Sequence, residues 1–149
     1  FNYTATTDIY TLSQHDALPI LAQEDKTANV IYKACGSKPV SVRPPYGAIN
    51  ENVKQGIDTA LILWSVDTLD WKTKNTDATV KTILKHAKDG DIVLMHDIHK
   101  PTVAAVENVL PILKKNGYEV STVSELLEAK GVKVQKGDKV FSATDIIRK

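Results

Sequence analysis

Two kinds of apolar pattern alternate along this chain, and together they predict strands that alternate with helices. Nearly continuous apolar runs predict buried strands, while apolar residues spaced three and four positions apart predict amphipathic helices. The predicted strands are residues 38–42, 59–66, 92–95 and 118–122, with a further possible strand at 139–142. This alternation is typical of α/β proteins with parallel strands.

The helical segments carry recognisable start and stop signals. A helix is predicted over residues 21–35, where Gly36 and Pro39 end it. Asn50 is suited to cap a short helix that ends at Gly56. The remaining predictions are a helix capped by Thr76 or Asp77 and ending at Ala87, a helix with Pro101 in its first turn and ending at Asn116, and a helix over 125–129 capped by Ser124.

A polar cluster follows each of three predicted strands. The clusters read VRPPYG at 42–47, DTLDW at 67–71 and LMHDIH at 94–99. In folds of alternating strands and helices, functional groups gather at the carboxyl ends of the strands, because the loops there converge on one face. An Arg, two Asp, a Trp and a His delivered by three consecutive loops therefore predict part of an active site.

Length and composition exclude several classes of function. The chain has 149 residues, which predicts one domain, and its net charge of +1 gives no argument for nucleic-acid binding. No apolar run approaches the roughly 20 residues of a membrane span. Cys35 is the only cysteine, so neither an internal disulfide nor a cysteine metal site can form. A closed barrel of strands and helices needs about 250 residues, so we expect an incomplete barrel with an open strand edge.

The three clusters also resemble a known family. RPPYG, DTLDW and LMHDIH are similar, in order and spacing, to the third, fourth and fifth motifs of the NodB-type polysaccharide deacetylases, carbohydrate esterase family 4. The nearest resemblance is to bacterial peptidoglycan N-acetylglucosamine deacetylases. It implies the C-terminal portion of a distorted (β/α) barrel over residues 21–130, followed by a C-terminal tail at 131–149.

The resemblance implies a role for six residues. His96 would be the general acid that protonates the leaving amine, with Asp70 hydrogen-bonded to its ring and favouring imidazolium. Arg43 would orient the family's catalytic Asp through a charge-assisted pair. Substrate contacts would come from the Tyr46 backbone N–H, which faces the oxyanion, and from Trp71 and Leu94, which wall the acetyl pocket.

Other polar residues near these clusters have weaker claims. Asp67 and Asp97 are each suited to cap a loop or helix, and their roles stay open, as does that of His99. His99 is interpreted as structural or as part of the substrate rim. His86 lies on a predicted helix and is expected to face solvent.

Two motifs of the family are missing from the sequence. The first, Thr-Phe-Asp-Asp, would hold the catalytic base and a metal-binding Asp, and the second, His-x-x-x-His, would supply two more ligands. Neither pattern occurs here, since the only His before Arg43 is His15. A zinc-type hydrolytic site needs about three protein ligands and a water. The family's divalent metal, with zinc the first choice, therefore lacks its ligands in this chain, and we expect the chain to be inactive.

The first twenty residues have an unusual sequence. Residues 2–20 resemble NDTATTEIYTLSLHDALPI, one translated reading frame of a common sequencing adapter, and differ from it only at Tyr3, Asp8 and Gln14. We interpret residues 1–20 as a non-native segment joined to a truncated gene, which makes His15 and Asp16 poor site candidates. The alternative is a genuine N-terminal β-segment, because residues 3–12 are rich in Thr, Tyr and Ile.

Several functions remain open at this point. The first is metal-dependent deacetylation of an N-acetylglucosamine polysaccharide, with peptidoglycan as the expected substrate and an extracellular or cell-envelope location implied by the family. A non-catalytic remnant that binds glycan through Trp71 and Tyr46 is the alternative, as is a chitin or xylan deacetylase. An unrelated α/β hydrolase would need a Gly-x-Ser-x-Gly turn, which the sequence lacks.

Overall fold

The computed structural model describes residues 17–148, with side chains described from residue 21 onward. The interpretation of residues 1–20 as non-native therefore falls largely outside the described residues, as do His15 and Asp16. Six α-helices are present in the described part: α1 (Ala17–Cys35), α2 (Glu51–Gly56), α3 (Asp70–Thr73), α4 (Thr76–His86), α5 (Lys100–Lys115) and α6 (Val123–Ala129). None of these helices is long and apolar enough to cross a membrane.

The described strands form two small sheets. The strands are β1 (Ser41–Val42), β2 (Ala60–Ile62), β3 (Val66–Asp67), β4 (Val93–Leu94), β5 (Lys139–Val140) and β6 (Ile146–Ile147). One sheet has the order β1-β2-β5-β6, and the other pairs β3 with β4. All pairs are parallel except β5 with β6. The α/β class predicted from the alternating pattern is confirmed.

The apolar run at 59–66 forms backbone hydrogen bonds in both sheets. Its first half pairs with β1 and β5, and the Leu63 N–H still donates to the Val140 carbonyl at 2.8 Å. Two residues later the Ser65 and Val66 N–H groups donate to Ile92, at 3.0 and 3.2 Å. The prediction of one continuous strand is therefore wrong. The apolar run indicates that most of these residues are buried, although Ser65 is exposed. It does not indicate the point at which the backbone changes its hydrogen-bonding partner.

The C-terminal segment 131–149 contributes to the main sheet. Its possible strand at 139–142 is confirmed as β5, which lies parallel to β2 with Leu61 opposite Lys139. The core beside β5 contains five buried apolar residues: Ala60, Ile62, Leu127, Val140 and Ala143. The segment is therefore packed against the core of the described domain.

Two helix caps differ from the sequence prediction, and one agrees. The Asn50 side chain accepts the Val53 N–H, as predicted. Helix α4 is capped by Asn75 rather than by Thr76 or Asp77. Thr122 rather than Ser124 caps α6, because Thr122 and Glu125 form a reciprocal capping box over the three-residue spacing that this motif requires.

The predicted strand at 118–122 is wrong. The Tyr118 N–H donates to the Leu113 carbonyl and so completes the C-terminal turn of α5, while Thr122 already caps α6. Too few residues remain between these helix ends to form a paired strand, although Tyr118 and Val120 favour one. Helix α5 itself begins one residue before Pro101, so the predicted placement of Pro101 in its first turn is confirmed.

Candidate active site

The β3–β4 pair brings the second and third polar clusters together. Val66 lies opposite Val93, and Asp67 lies opposite Leu94. Asp70 is three residues beyond the end of β3, and His96 is two residues beyond the end of β4. Because the strands are parallel, both loops leave the same edge of the sheet.

Asp70 and His96 are in direct contact. The His96 Nδ1 atom lies 2.8 Å from Asp70 Oδ1, and the His96 backbone N–H donates to Asp70 Oδ2 at 2.7 Å. A third donor is the Thr102 hydroxyl, which lies 2.8 Å from the same Oδ2 atom. The predicted hydrogen bond between Asp70 and the imidazole ring is therefore present, and it uses Nδ1.

Burial and hydrogen bonding act on Asp70 in opposite directions. The residue is 0% exposed, and burial by itself raises the pKa of its carboxyl group. Hydrogen bonds from the His96 ring, the Thr102 hydroxyl and the His96 backbone outweigh burial and lower the pKa of Asp70 below its ordinary value. Asp70 is therefore an ionised acceptor at neutral pH, and Nδ1 carries the proton that is shared with it.

The loop before Asp70 is held by its own side chains. The Thr68 hydroxyl donates to the Leu94 carbonyl at 2.8 Å, which ties the end of β3 to β4. Asp67 Oδ1 accepts the Leu69 N–H at 2.9 Å, so Asp67 caps this loop. Leu69 adopts a left-handed conformation with a φ of 53°, which a non-glycine residue adopts only where its surroundings enforce it.

The first polar cluster follows β1 and forms a tight turn. Pro45–Gly47 is a short 3-10 turn in which Tyr46 is also left-handed, with a φ of 58°. A Cβ atom added to Gly47 would lie 3.1 Å from the Trp64 ring, so the turn packs closely on the residues that link β2 to β3. Arg43 and Tyr46 are exposed, and within the part of the chain that is described Arg43 makes no ion pair or hydrogen bond.

The two predicted apolar wall residues differ in exposure. Leu94 is buried within β4, whereas Trp71 lies in α3 and is half exposed. Leu94 lies two residues before His96 along the chain, and Trp71 directly follows Asp70. Both therefore flank the Asp70–His96 pair in sequence, and their contact with an acetyl group stays a prediction.

The remaining histidines lie outside this pair. His99 immediately precedes α5, where its carbonyl accepts the Thr102 and Val103 N–H groups and its side chain makes no cap bond. His86 is exposed at the end of α4, as predicted. Asp97 is exposed in the turn between β4 and α5.

The described residues do not fit a catalytic metal site. No group of three His, Cys, Asp or Glu side chains in that part of the chain is placed to bind one ion. Asp70 and His96 are committed to each other, and two ligands are fewer than a hydrolytic zinc site uses.

An apolar groove of about 380 Å³ lies between β1, β2 and α6. Its apolar lining includes Val40, Ile62, Val123 and Leu127, and none of the six predicted site residues contributes to it. The groove is therefore separate from the Asp70–His96 pair.

Sequence reasoning missed Thr102 and Thr68. Both are buried, and both fix the Asp70–His96 pair through side-chain hydrogen bonds. Thr68 lies within the DTLDW cluster, which is a usable signal. Thr102 follows Pro101 in the first turn of a predicted helix, and nothing in that context distinguishes it from an ordinary helix residue.

Known proteins were found that are similar to this chain, although no family model matches the sequence. The peptidoglycan-N-acetylglucosamine deacetylase PgdA of Listeria monocytogenes is 42% identical over 134 residues, which is 90% of this chain and 28% of PgdA. The solved T48 deacetylase with substrate has a TM-score of 0.79 and 38% identity, over 90% of this chain and 65% of that structure. The chain belongs to the NodB-type polysaccharide deacetylases, carbohydrate esterase family 4.

A second solved member extends the structural comparison. The family 4 acetyl xylan esterase of Clostridium thermocellum, in complex with a cobalt ion, has a TM-score of 0.81 and 25% identity, over 93% of this chain and 69% of that structure. The described fold is accordingly part of a NodB-type domain, as predicted. The chain spans about a quarter of the length of PgdA.

Proposed function

We propose that this chain is part of a polysaccharide deacetylase that hydrolyses the amide bond of N-acetylglucosamine units, with peptidoglycan as the substrate. Membership of the family supports hydrolysis of an acetylated polysaccharide, and PgdA supports the choice of peptidoglycan. The observation that carries the proposal is the contact between Asp70 and His96 at the carboxyl ends of two paired strands.

In this proposal His96 is the general acid. Its Nδ1–H is committed to Asp70, so Nε2 is the ring nitrogen that faces the substrate. As the carbon–nitrogen bond breaks, protonated Nε2 gives its proton to the departing amine, and the ionised Asp70 stabilises the imidazolium until that transfer. The His96 side chain is 32% exposed, which leaves room for a substrate to approach the ring.

The other half of the chemistry requires groups that the described residues do not provide. We propose that the base and the ligands of a divalent metal, with zinc the first choice, belong to the part of the domain that carries the first two family motifs. The cobalt ion in the acetyl xylan esterase supports metal dependence in the family. This chain alone is then inactive, and Arg43 is the cation that would pair with the catalytic Asp of that missing part.

Two further proposals concern the origin of the chain. Residues 1–20 are a non-native segment, supported by their similarity to a translated adapter sequence. The parent protein acts outside the cell or at the cell envelope, which is where peptidoglycan lies, and the similarity to PgdA supports this location.

A non-catalytic glycan-binding role is the second candidate. Two aromatic residues at the predicted site are exposed, Tyr46 at 85% and Trp71 at 50%, and an exposed aromatic ring can stack on the apolar face of a sugar. Binding of N-acetylglucosamine oligomers by the chain, lost in Trp71→Ala, would favour this role over that of a fragment with no function of its own.

The test of the catalytic proposal uses the chain extended in its native reading frame by the upstream residues of its gene. Acetate release from N-acetylglucosamine oligomers is measured for the extended enzyme and for His96→Ala. Loss of the acid should lower kcat by about 10²- to 10⁴-fold with little change in KM. The matched control is His86→Ala, an exposed histidine on α4. Unchanged turnover in His96→Ala would remove His96 from the mechanism.

A further inference from the structure

The carboxylate of Asp70 is held by donors from two different elements. Oδ2 accepts the His96 N–H from the loop after β4 and the Thr102 hydroxyl from α5, at 2.7 and 2.8 Å. These two bonds occupy the two lone-pair sites of Oδ2. Oδ1 is thereby left to the His96 ring, which lies 2.8 Å away.

The Thr102 hydroxyl makes an uncommon bond for a helix threonine in this chain. Three other helix threonines, Thr27, Thr79 and Thr82, donate to the carbonyl four residues before them. Such local bonds are the usual choice of a threonine within a helix. Thr102 donates instead to a side chain 32 residues away, and both partners are buried.

Helix α5 holds Thr102 in a fixed position. Thr102, Ala105 and Val109 are buried on one face of α5, with exposures of 2% or less. The Thr76 hydroxyl donates to the Pro101 carbonyl at 3.0 Å, which joins the start of α4 to the start of α5. The hydroxyl therefore reaches Asp70 from an anchored helix and not from a mobile loop.

We infer that Thr102 is a positioning residue for the acid: its hydroxyl holds Oδ2 of Asp70 so that Oδ1 faces Nδ1 of His96. This inference rests on the proposed role of His96, but the geometry that it describes can be measured without any activity. A site in which the supporting hydrogen bonds are fixed keeps its reacting group in one orientation.

The test compares Thr102→Val, which keeps the shape and removes the hydroxyl, with Thr102→Ser, which keeps the hydroxyl. In the chain as it stands, carbon-13 NMR follows the titration of the Asp70 carboxyl, and proton NMR follows the exchange of the His96 Nδ1–H. In Thr102→Val the pKa of Asp70 should rise towards its ordinary value, and exchange of the ring proton should become at least about tenfold faster. Thr102→Ser should restore both values.

Two outcomes would overturn the inference. If Thr102→Val keeps both native values, the hydroxyl does not position the carboxylate. If Thr102→Ser behaves like Thr102→Val, the methyl group matters and the hydrogen bond does not. If Thr102→Val fails to fold, the unmodified chain still provides a test. The NMR chemical shift of Thr102 Cβ must then change over the same pH range as that of the Asp70 carboxyl.

These measurements also separate this inference from the proposed function. If the native-frame enzyme releases no acetate, the deacetylase proposal fails while the NMR result on Thr102 still stands. If that enzyme is active and Thr102→Val has its native kcat, then the Thr102 inference fails by itself. A lower kcat at unchanged KM, rescued by Thr102→Ser, is the expected result.

Discussion

Two regions carry charged residues of the same predicted site: the loops after β3 and β4, and the loop after β1. They differ in whether those charged side chains have hydrogen-bonding partners. Asp70 is fully buried and accepts three hydrogen bonds from described residues. Arg43 is exposed, and no described residue pairs with it. Among the described residues, Asp70 therefore has its hydrogen-bonding partners, whereas Arg43 has none.

This difference indicates which part of the chemistry the chain can hold in place by itself. A buried carboxylate persists only when its hydrogen bonds are made in the folded chain. Asp70, His96 and Thr102 provide those bonds among themselves and are called the Asp70 cluster below. An exposed guanidinium has no such requirement, because water solvates it. Arg43 is then free to pair with the catalytic Asp that our proposal places in the missing part of the domain.

The largest expected effect on stability is that of Asp70→Ala. It leaves the Thr102 hydroxyl and the His96 N–H without their acceptor, and each buried donor left unpaired costs about 1–3 kcal/mol. We expect the free energy of unfolding, measured with urea, to fall by about 2–4 kcal/mol in total, below the sum for two fully buried donors because His96 is only partly buried. The matched change in the other region is Arg43→Ala. Its free energy of unfolding should stay within about 0.5 kcal/mol of that of the unmodified chain.

Equal losses of unfolding free energy in Asp70→Ala and Arg43→Ala would contradict the proposed difference between the two regions. A large loss in Arg43→Ala would show that this side chain has a partner in the folded chain. A loss below about 0.5 kcal/mol in Asp70→Ala would show that the Asp70 cluster contributes nothing to stability.

The pH dependence of stability sharpens the same contrast. Because the pKa of Asp70 is lower in the folded chain, the unfolded chain binds its proton more readily. The stabilisation that ionised Asp70 provides is therefore complete above the ordinary carboxyl pKa of about 3.9. It is lost as the pH falls through the pKa of Asp70 in the folded chain. Asp70→Asn should lose less stability than the unmodified chain over that acid range.

The Asp70→Asn variant is needed because a second carboxyl group also contributes to the loss of stability at acid pH. Hydrogen bonds from Thr122 also lower the pKa of Glu125. The difference between the unmodified chain and Asp70→Asn, measured by urea unfolding at each pH, isolates Asp70. Identical slopes in both proteins would rule out Asp70 as a source of the acid sensitivity.

A smaller effect is expected in the turn after β1. Gly47 has a φ of 66°, and an added Cβ would lie 3.1 Å from the Trp64 ring. Gly47→Ala should therefore destabilise the chain by about 1–2 kcal/mol. Tyr46→Gly, its neighbour at a φ of 58°, should change stability by less than about 1 kcal/mol, since relief of strain offsets the added freedom of the unfolded chain. A larger loss of stability in Tyr46→Gly than in Gly47→Ala, measured by urea unfolding, would contradict this prediction.

The sequence predicted the strands and loops that deliver the site better than the contacts within it. Strand periodicity and the polar clusters placed Asp70 and His96 at neighbouring strand ends, and their contact is present. Thr102 could not be found in this way, because its bond to Asp70 depends on where α5 lies relative to the loop after β3. Local sequence patterns carry no information about that placement.

The incorrect secondary-structure predictions have the same origin. Residues 59–66 read as one strand because the run is almost continuously apolar and mostly buried, yet the backbone changes sheets between Leu63 and Ser65. Residues 118–122 have strand-forming side chains, but the end of α5 and the capping box of α6 use that stretch. Tertiary hydrogen bonding overrides local preference at both places.

Our main proposal is that the described residues hold the acid half of a deacetylase site and do not provide its metal half. Its most direct test is acetate release from an N-acetylglucosamine oligomer by the purified chain, with zinc or cobalt added and His96→Ala as the background. We expect no release above that background. Metal-dependent release that a chelator abolishes, and that exceeds the His96→Ala background, would contradict it.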